Sequence, residues 1–376
     1  MGCFLLGNIC LGFLCLLVCT TLALKLDVVH DQIRPSLRSE IYTNDRTAYF
    51  IPVGIGSPPN SMYLVLDVGS NALWVQCQPP ASPSFAEVLS CRLEGCERLA
   101  NTRCHKGECL YRLHLADKSY TEGKVGIDTI TVGGVAIRNI AISCGIENRG
   151  YFTTIPGIMG LGQDWRGMSF LSQIYQLAGG VFSYCLPSSG TTSGWLEFGP
   201  GAYRDGPTWV SLLYNPWNPT WYYVELSGLG VGTRRVSLPE GIFKLTPKGD
   251  GGAIIDTISF VTTLPKVAYE AFRDAYVAEA ANLPRAPEDS VFDTCFNLTG
   301  LGTVQVPTVS FYFGEIGTTL TLSAKNILYL ADEVGVYCFA FKPTSTRLVT
   351  IGTFQQAGIQ ISIDWGGFLG FGPNFC

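Results

Sequence analysis

Apolar residues recur along this chain in short runs separated by glycine, proline, asparagine or serine at intervals of about ten residues. Four clear runs are rich in valine, isoleucine, threonine and aromatic residues: 63–66, 126–132, 222–226 and 306–313. Runs of this length and composition are typical of β-strands, whereas globular helices usually extend over ten residues or more. The pattern therefore predicts a mostly β protein.

Two segments have helical rather than strand periodicity. The first begins at Ser169, which can cap a helix, and ends at Gly179 and Gly180. The second follows Pro265 and extends over residues 267–281. The apolar positions repeat at helical spacing in each segment, and they are predicted to pack in the core rather than to bind a ligand: Leu171, Ile174 and Ala178, then Tyr269, Phe272, Tyr276 and Ala280.

The first 24 residues contain no charged side chain and end near the small residues Thr21 to Ala23. We interpret residues 1–24 as a secretory signal peptide, with a membrane anchor as the alternative, because about 20 apolar residues can span a bilayer. Residues 25–44 would then form a short N-terminal segment. Residues 188–194, rich in serine, glycine and threonine, are the best linker and divide the remainder into halves 45–190 and 191–376.

The cysteines support an oxidising compartment. The chain has 14, and the ten outside the leader form an even set, as expected for disulfides in an exported protein. Cys91, Cys96, Cys104 and Cys109 could in principle hold zinc, but they lack the close pairs of zinc sites, so no metal is expected. The sequon at Asn297 predicts a surface glycan.

Composition and charge exclude several classes of protein. Only 15% of residues are charged and 47% are hydrophobic, which excludes a disordered chain. The net charge is −5 and no basic stripe is present, so a nucleic-acid partner is not expected. His30, His105 and His114 do not stand in a pattern that suggests a Ser–His–Asp hydrolase. No cofactor is implied.

The two halves share a motif. Residues 64–70 and 253–259 each carry three apolar residues into an aspartate, Asp67 or Asp256, with a hydroxyl residue three places later. Each half also has a later apolar–apolar–glycine step, at 158–160 and, more weakly, at 350–352. Because burying a carboxylate is costly unless it is paired, a repeated strand that ends in aspartate predicts that the two carboxylates meet at a shared site.

These motifs resemble those of plant pepsin-like aspartic proteases of the nepenthesin-like and guard-cell-protease-like type. The likeness covers nearly all of the chain after the leader, in the segments 49–56, 73–77, 119–123, 157–162, 182–185, 292–295, 338–341, 355–360 and 370–376. It implies a bilobal pepsin-like fold of two pseudo-twofold-related β lobes. It also implies an aspartic endopeptidase that is active at acidic pH, with Asp67 and Asp256 as catalytic residues and an activated water as nucleophile.

The dyad loops depart from the family pattern. The first reads Asp67 to Ser70 with Val68 in place of threonine, which removes a hydroxyl, while Gly69 and Ser70 are kept. The second has Ile258 in place of glycine, and a β-branched side chain is expected to crowd the carboxylate and to fit poorly at positive φ. The remaining support for the dyad comes from two hydroxyl residues, Thr257 and Ser259.

The flap that closes over substrate also departs from the pattern. Leu115 takes the place of the flap tyrosine and is not expected to bond to Trp74. Ala116 and Lys118 replace two glycines, which predicts a stiffer hairpin. Asp117 and Ser119 complete the predicted flap and substrate cleft.

By resemblance, four disulfides are expected: Cys91–Cys109, Cys96–Cys104, Cys185–Cys376 and Cys295–Cys338. Cys77 and Cys144 lose their usual partners, so we expect them to bond to one another. The resemblance further implies a monomeric, secreted protein of the extracellular space or the vacuole, without stable membrane insertion after signal cleavage. Its partners would be peptide or protein substrates. The alternative is a catalytically impaired relative that uses the cleft to bind a peptide or a foreign enzyme, and it rests on Val68, Ile258 and Leu115.

Overall fold

The computed structural model describes residues 37–373, apart from 45–47, 78–84, 86, 92–95, 97–98, 100, 116, 164–167, 189–192, 203–207, 315–316 and 333. The described chain is mostly β, as predicted. The predicted leader 1–24, the flap residue Ala116 and Cys376 lie outside the described residues. None of the helices in the described ranges is long and apolar enough to cross a membrane.

Twelve strands lie between residues 37 and 198: β1 Leu37–Asn44, β2 Ala48–Ile55, β3 Asn60–Asp67, β4 Leu73–Gln76, β5 Glu87–Val88, β6 Thr102–His105, β7 Glu108–His114, β8 Tyr120–Val132, β9 Val135–Arg149, β10 Gly157–Gly160, β11 Val181–Cys185 and β12 Ser193–Phe198.

The second half supplies the remaining described strands: β13 Thr208–Leu213, β14 Tyr223–Val224, β15 Leu226–Val231, β16 Arg234–Arg235, β17 Ala253–Ile255, β18 Thr262–Pro265, β19 Arg285–Ala286, β20 Cys295–Asn297, β21 Val309–Phe313, β22 Thr318–Leu322, β23 Leu328–Leu330, β24 Val336–Phe339, β25 Phe341–Thr344, β26 Val349–Ile351, β27 Ile359–Asp364 and β28 Phe368–Pro373.

Four α-helices are described: α1 Phe170–Gln173, α2 Tyr175–Ala178, α3 Lys266–Glu279 and α4 Thr353–Gln356. Both predicted helical segments are confirmed, although the first splits at Ile174 into two short helices. Ser169 caps α1 by accepting a hydrogen bond from the N–H of Ser172, and Gly179 ends α2 in the left-handed conformation. The predicted stripe of α3 is buried. Single turns of 3-10 helix lie at Gly150–Thr153, Pro200–Ala202 and Ala324–Asn326.

Two predicted strands differ in extent. The run 306–313 forms a strand only from Val309, since Pro307 has no N–H for the ladder. The run 222–226 divides into β14 and β15, because β14 pairs with β13 and β17 whereas β15 pairs with β16 and β21. The predicted linker is also shorter than expected, because Ser193 and Gly194 belong to β12 and pair with β1.

An antiparallel sheet joins strands from both halves in the order β1-β12-β11-β27-β28-β13. The largest core cluster is shared by both halves; Phe182 and Tyr184 belong to it with Tyr222 and Phe371. A second cluster lies in the first half around Trp74, and a third lies in the second half around one disulfide. This joined core carries the two aspartate strands.

The disulfides confirm two expectations and correct two others. Cys77 bonds to Cys144 and Cys295 bonds to Cys338, as expected. Cys185 is also disulfide-bonded, but its predicted partner lies outside the described residues.

The two disulfides among Cys91, Cys96, Cys104 and Cys109 were predicted with the wrong partners. The observed bonds are Cys91–Cys104 and Cys96–Cys109. Cys96 and Cys109 are both fully buried beneath the β6–β7 hairpin, whereas Cys104 is exposed and Cys91 is only partly buried. Burial therefore decides which sulfurs face one another, and spacing along the chain does not reveal it.

Candidate active site

Strand β3 carries Asp67 to the centre of the molecule. Its last four residues are buried, and β10 runs parallel beside it with Gly160 opposite Asp67. The N–H of Leu161 donates to the carbonyl of Asp67 at 2.8 Å. A Cβ on Gly160 would lie 2.5 Å from the carbonyl oxygen of Ala72, so only glycine allows this close approach.

Strand β17 positions Asp256 in the same way. β26 runs parallel beside β17, and the N–H of Asp256 donates to the carbonyl of Ile351 at 3.1 Å. A Cβ on Gly352 would lie 2.5 Å from the backbone of Val261. The apolar–apolar–glycine steps predicted from sequence are thus the strands that lie beside the two aspartate strands.

The two loops meet through one threonine. The hydroxyl of Thr257 accepts a hydrogen bond from the N–H of Val68 at 3.1 Å and donates to the carbonyl of Leu66 at 2.8 Å. Thr257 and Val68 are both buried. Since Val68 has no hydroxyl, the side-chain bracing between the two loops comes from Thr257.

The carboxyl groups of Asp67 and Asp256 approach one point. An ideal Cβ built on Gly69 would lie 3.4 Å from Oδ1 of Asp67 and 3.4 Å from Oδ1 of Asp256. The structure therefore brings together the two aspartates that the sequence singled out, and a side chain at position 69 would stand against both. Gly69 leaves this space open.

Backbone amides hold both carboxyl groups. Oδ1 of Asp67 accepts from the N–H of Gly69 at 2.8 Å, and Ser70 also donates to this carboxyl. In the second loop Oδ1 of Asp256 accepts from the N–H of Ile258 at 3.2 Å, and Oδ2 accepts from the N–H of Ser259 at 2.9 Å.

Burial, together with the nearby charge of Asp256, raises the pKa of Asp67 to about 7, even though the hydrogen bonds from Gly69 and Ser70 oppose the rise. A buried carboxyl group keeps its proton to higher pH because its charged form is poorly solvated. At mildly acidic pH, Asp67 therefore keeps its proton.

One expectation about Ile258 is corrected. Neither Ile258 nor Gly69 has a positive φ, so the β-branched residue is accommodated without backbone strain. The side chain is 37% exposed, and its N–H still reaches Asp256. The substitution therefore adds apolar bulk beside the dyad and leaves the loop backbone intact.

The predicted flap is the hairpin of β7 and β8. The N–H of Leu115 donates to the carbonyl of Ser119, and the N–H of Lys118 donates to the carbonyl of Leu115. Lys118 adopts a φ of 71°, a conformation that glycine would take more easily. The carboxylate of Asp117 accepts from both the N–H and the hydroxyl of Ser119. These bonds fix the hairpin turn.

Trp74 does not line an open cleft, because it is fully buried. Its indole N–H donates to the hydroxyl of Tyr111 at 2.7 Å and to Thr121 at 3.0 Å. Leu115 cannot make such a bond, as expected, but Tyr111 supplies one from within β7. The sequence prediction missed Tyr111; the only signal was an aromatic residue at an inward position of a strand.

Two other aromatic residues near the dyad were also missed. Burial, with a smaller contribution from the negative charges of Asp67 and Asp256, raises the pKa of Tyr151 to about 12. Cδ1 of Trp221 would lie 3.9 Å from a Cβ on Gly69. Neither residue belongs to a motif with Asp67 or Asp256, so only the fold reveals their position.

Comparisons with known proteins agree with this architecture. A family model described as xylanase inhibitor N-terminal matches residues 49–200, and one described as xylanase inhibitor C-terminal matches residues 221–371. Among solved structures, that of edgp has a TM-score of 0.78 at 21% identity and covers 91% of this chain and 95% of its own. Soybean basic 7S globulin has a TM-score of 0.74 at 20% identity over 90% and 94%. These structures define a pepsin-like fold.

The sequence relatives identify the family. Protein ASPARTIC PROTEASE IN GUARD CELL 2 of Arabidopsis thaliana is 48% identical over 343 residues, which cover 87% of this chain and 72% of the relative. Aspartic proteinase nepenthesin-2 of Nepenthes gracilis is 34% identical over 87% of this chain and 77% of its own. The chain belongs to the plant pepsin-like aspartic protease family.

Proposed function

We propose that this protein is an aspartic endopeptidase that cleaves peptide bonds at acidic pH. The observation that carries the proposal is the convergence of two carboxyl groups, each at the end of a strand in a repeated motif. Oδ1 of Asp67 and Oδ1 of Asp256 lie within 3.4 Å of one point above Gly69. The charge of Asp256 raises the pKa of Asp67, as expected for two carboxyl groups that share a proton rather than ionise together.

The mechanism follows from the unequal environments of the two groups. Asp67, whose pKa is raised, carries the shared proton, and Asp256 acts as the base of the pair. Asp256 takes a proton from a water molecule as the water oxygen attacks the scissile carbonyl carbon. Asp67 donates its proton to the carbonyl oxygen, which gives a neutral tetrahedral intermediate. Asp256 then gives its proton to the amide nitrogen while Asp67 takes a proton from a hydroxyl group of the intermediate, so that the C–N bond breaks and the carboxylic acid and the amine are released.

Several contacts support a working dyad despite the sequence departures. Thr257 still joins the loops, and both carboxyl groups keep their backbone donors. A second connection reaches Asp256 from the first half, because Tyr184 donates to Gln356, whose side-chain amide donates to the carbonyl of Asp256 at 2.8 Å.

The test is digestion of a peptide library at pH 3 to 6 with purified protein, with and without pepstatin. Acid-dependent cleavage that pepstatin blocks and that Asp67→Asn abolishes is expected. A folded protein that binds peptides but cleaves none across this range contradicts the proposal. That result would establish the binding role raised by Val68 and Ile258.

Secretion and glycosylation belong to the same proposal. The four described disulfides between named partners are typical of an oxidising compartment such as the extracellular space or the vacuole. Asn297 is exposed, and its Oδ1 accepts from the N–H of Thr299 within the sequon. We expect cleavage after a leader at 1–24 and a glycan at Asn297; N-terminal sequencing and glycosidase treatment of the secreted protein test both.

A further inference from the structure

A loop beside the dyad presents aromatic residues to solvent. Within residues 214–221, Tyr214 is 65% exposed and Trp217 is 69% exposed, although large aromatic side chains are normally mostly buried. We call residues 214–221 the aromatic loop. Exposed tyrosine and tryptophan residues are common at the energetic centres of binding surfaces, because they offer large contact area with few rotatable bonds.

The aromatic loop is held rigidly from below. Asn215 is 1% exposed; its side-chain N–H donates to the carbonyl of Gly249 at 3.1 Å, and its Oδ1 accepts from the N–H of Trp217 at 3.0 Å. Its carbonyl accepts from the N–H of Asn218. A Cβ on Gly249 would lie 2.6 Å from Cδ1 of Trp217, so the indole rests directly on this glycine. The exposed ring is therefore preorganised.

The aromatic loop leads from the dyad to an outer cavity. At its inner end, Trp221 lies beside Gly69, and the carbonyl of Thr220 accepts from the N–H of Gln163 at 2.9 Å. At its outer end, Tyr214 lines a cavity of about 620 Å³. The cavity is lined by residues 213–214, 225–228, 235–236 and 238–245. The aromatic loop thus begins at this recess and ends beside the two carboxyl groups.

We propose that the aromatic loop is an extended substrate site that selects polypeptides with an aromatic residue several positions from the scissile bond. This inference rests on the proposed function. The occupant is a peptide in extended form, because a chain that passes the dyad and continues along the loop meets Trp221, then Trp217, then Tyr214. A preorganised aromatic surface binds such a segment at little cost in conformational entropy.

The experiment uses peptides that share one cleavable sequence and carry two or five flanking residues on either side. The long peptides have tyrosine or alanine in the outer positions. In the wild-type protein, a long peptide with tyrosine in the outer positions on one side of the scissile bond is expected to have a KM about tenfold below that of the same peptide with alanine there. Trp217→Ala is expected to remove most of this difference. Tyr63→Ala, at an exposed aromatic residue outside the loop, is the matched control and keeps the difference.

A binding measurement separates this inference from the proposed function. Asp67→Asn protein is titrated with the same long peptides by calorimetry, with and without Trp217→Ala. If wild-type protein cleaves nothing but the titrations show a preference for tyrosine that depends on Trp217, the aromatic-loop site stands without the endopeptidase. If peptides are cleaved but neither KM nor affinity responds to outer tyrosine or to Trp217→Ala, the aromatic-loop site is wrong and the endopeptidase stands.

Discussion

The two aspartate loops have lost opposite parts of the same motif. The first keeps the glycine, Gly69, and has Val68 where a hydroxyl residue is expected. The second keeps the hydroxyl, Thr257, and has Ile258 where glycine is expected. Because Thr257 both accepts from Val68 and donates to Leu66, one hydroxyl suffices to join the loops. The comparison teaches that the two losses are independent: Val68 removes one hydroxyl from the contact between the loops, and Ile258 adds apolar bulk beside Asp256.

The largest expected effect is on the pH dependence of the unfolding free energy, because the pKa of Asp67 in the first loop is raised. The pKa of Asp67 rises from 3.8 to about 7, so the folded state binds a proton more tightly than the unfolded state does. The resulting stability is present below about pH 4 and is lost as the pH rises to about 7. The loss is on the order of 4 kcal/mol. Denaturant unfolding between pH 4 and pH 7 measures it.

Asp67→Asn is expected to remove this pH dependence, because the buried group no longer titrates. Asp256→Asn is the matched comparison, and it should reduce the dependence only partly, since burial is the larger cause of the raised pKa of Asp67. Equal slopes in wild-type and Asp67→Asn proteins would contradict the assignment of the raised pKa to Asp67.

The next largest effect is on the unfolding free energy, through the hydrogen bonds by which Thr257 joins the two loops. Thr257→Val is expected to cost about 2–3 kcal/mol of unfolding free energy, because it leaves the N–H of Val68 and the carbonyl of Leu66 buried without this partner. Val68→Thr, the reciprocal change, should stabilise by about 1 kcal/mol if the added hydroxyl bonds to the second loop. Denaturant unfolding of both variants measures the effects. A Thr257→Val protein as stable as wild type would show that the hydroxyl does not join the loops.

A smaller effect is expected in catalysis. Ile258→Gly removes the apolar bulk beside Asp256 and should raise kcat/KM about tenfold at acidic pH, equivalent to about 1.4 kcal/mol. Ile258→Ala should give an intermediate value. Measurement on one fluorogenic peptide checks both variants. Unchanged kcat/KM in both would mean that Ile258 does not restrict the cleft.

The smallest effect is expected beneath the flap. Tyr111→Phe removes the hydroxyl that accepts from Trp74, but Thr121 remains as a second acceptor, so the cost should be about 1 kcal/mol. Faster amide exchange in β7 and β8 should accompany it. Tyr63→Phe is the control at an exposed tyrosine outside this network. Unaltered exchange in Tyr111→Phe would exclude Tyr111 as a support of the flap.

The sequence predicted those parts of the molecule that local pattern determines. The strand runs, the capped helix at Ser169 and the buried stripe of α3 follow from periodicity. The pairing of Asp67 with Asp256 was predictable because each aspartate ends a buried strand. Contacts between segments that are far apart in the sequence leave no local pattern from which they could be predicted. The crossed disulfides depend on which sulfurs are buried, and Tyr111 and Trp221 reach the site only through the folded arrangement.

The sheet that joins β1, β12, β11, β27, β28 and β13 has a consequence for producing fragments of this protein. β11 of the first half pairs with β27 of the second half, so each half depends on hydrogen bonds across the joined sheet. A fragment that ends near residue 202 would expose the edge of β11, and exposed edges invite aggregation. The two halves, though each carries one aspartate, should be recoverable in native form only when they are synthesised as one polypeptide or refolded together.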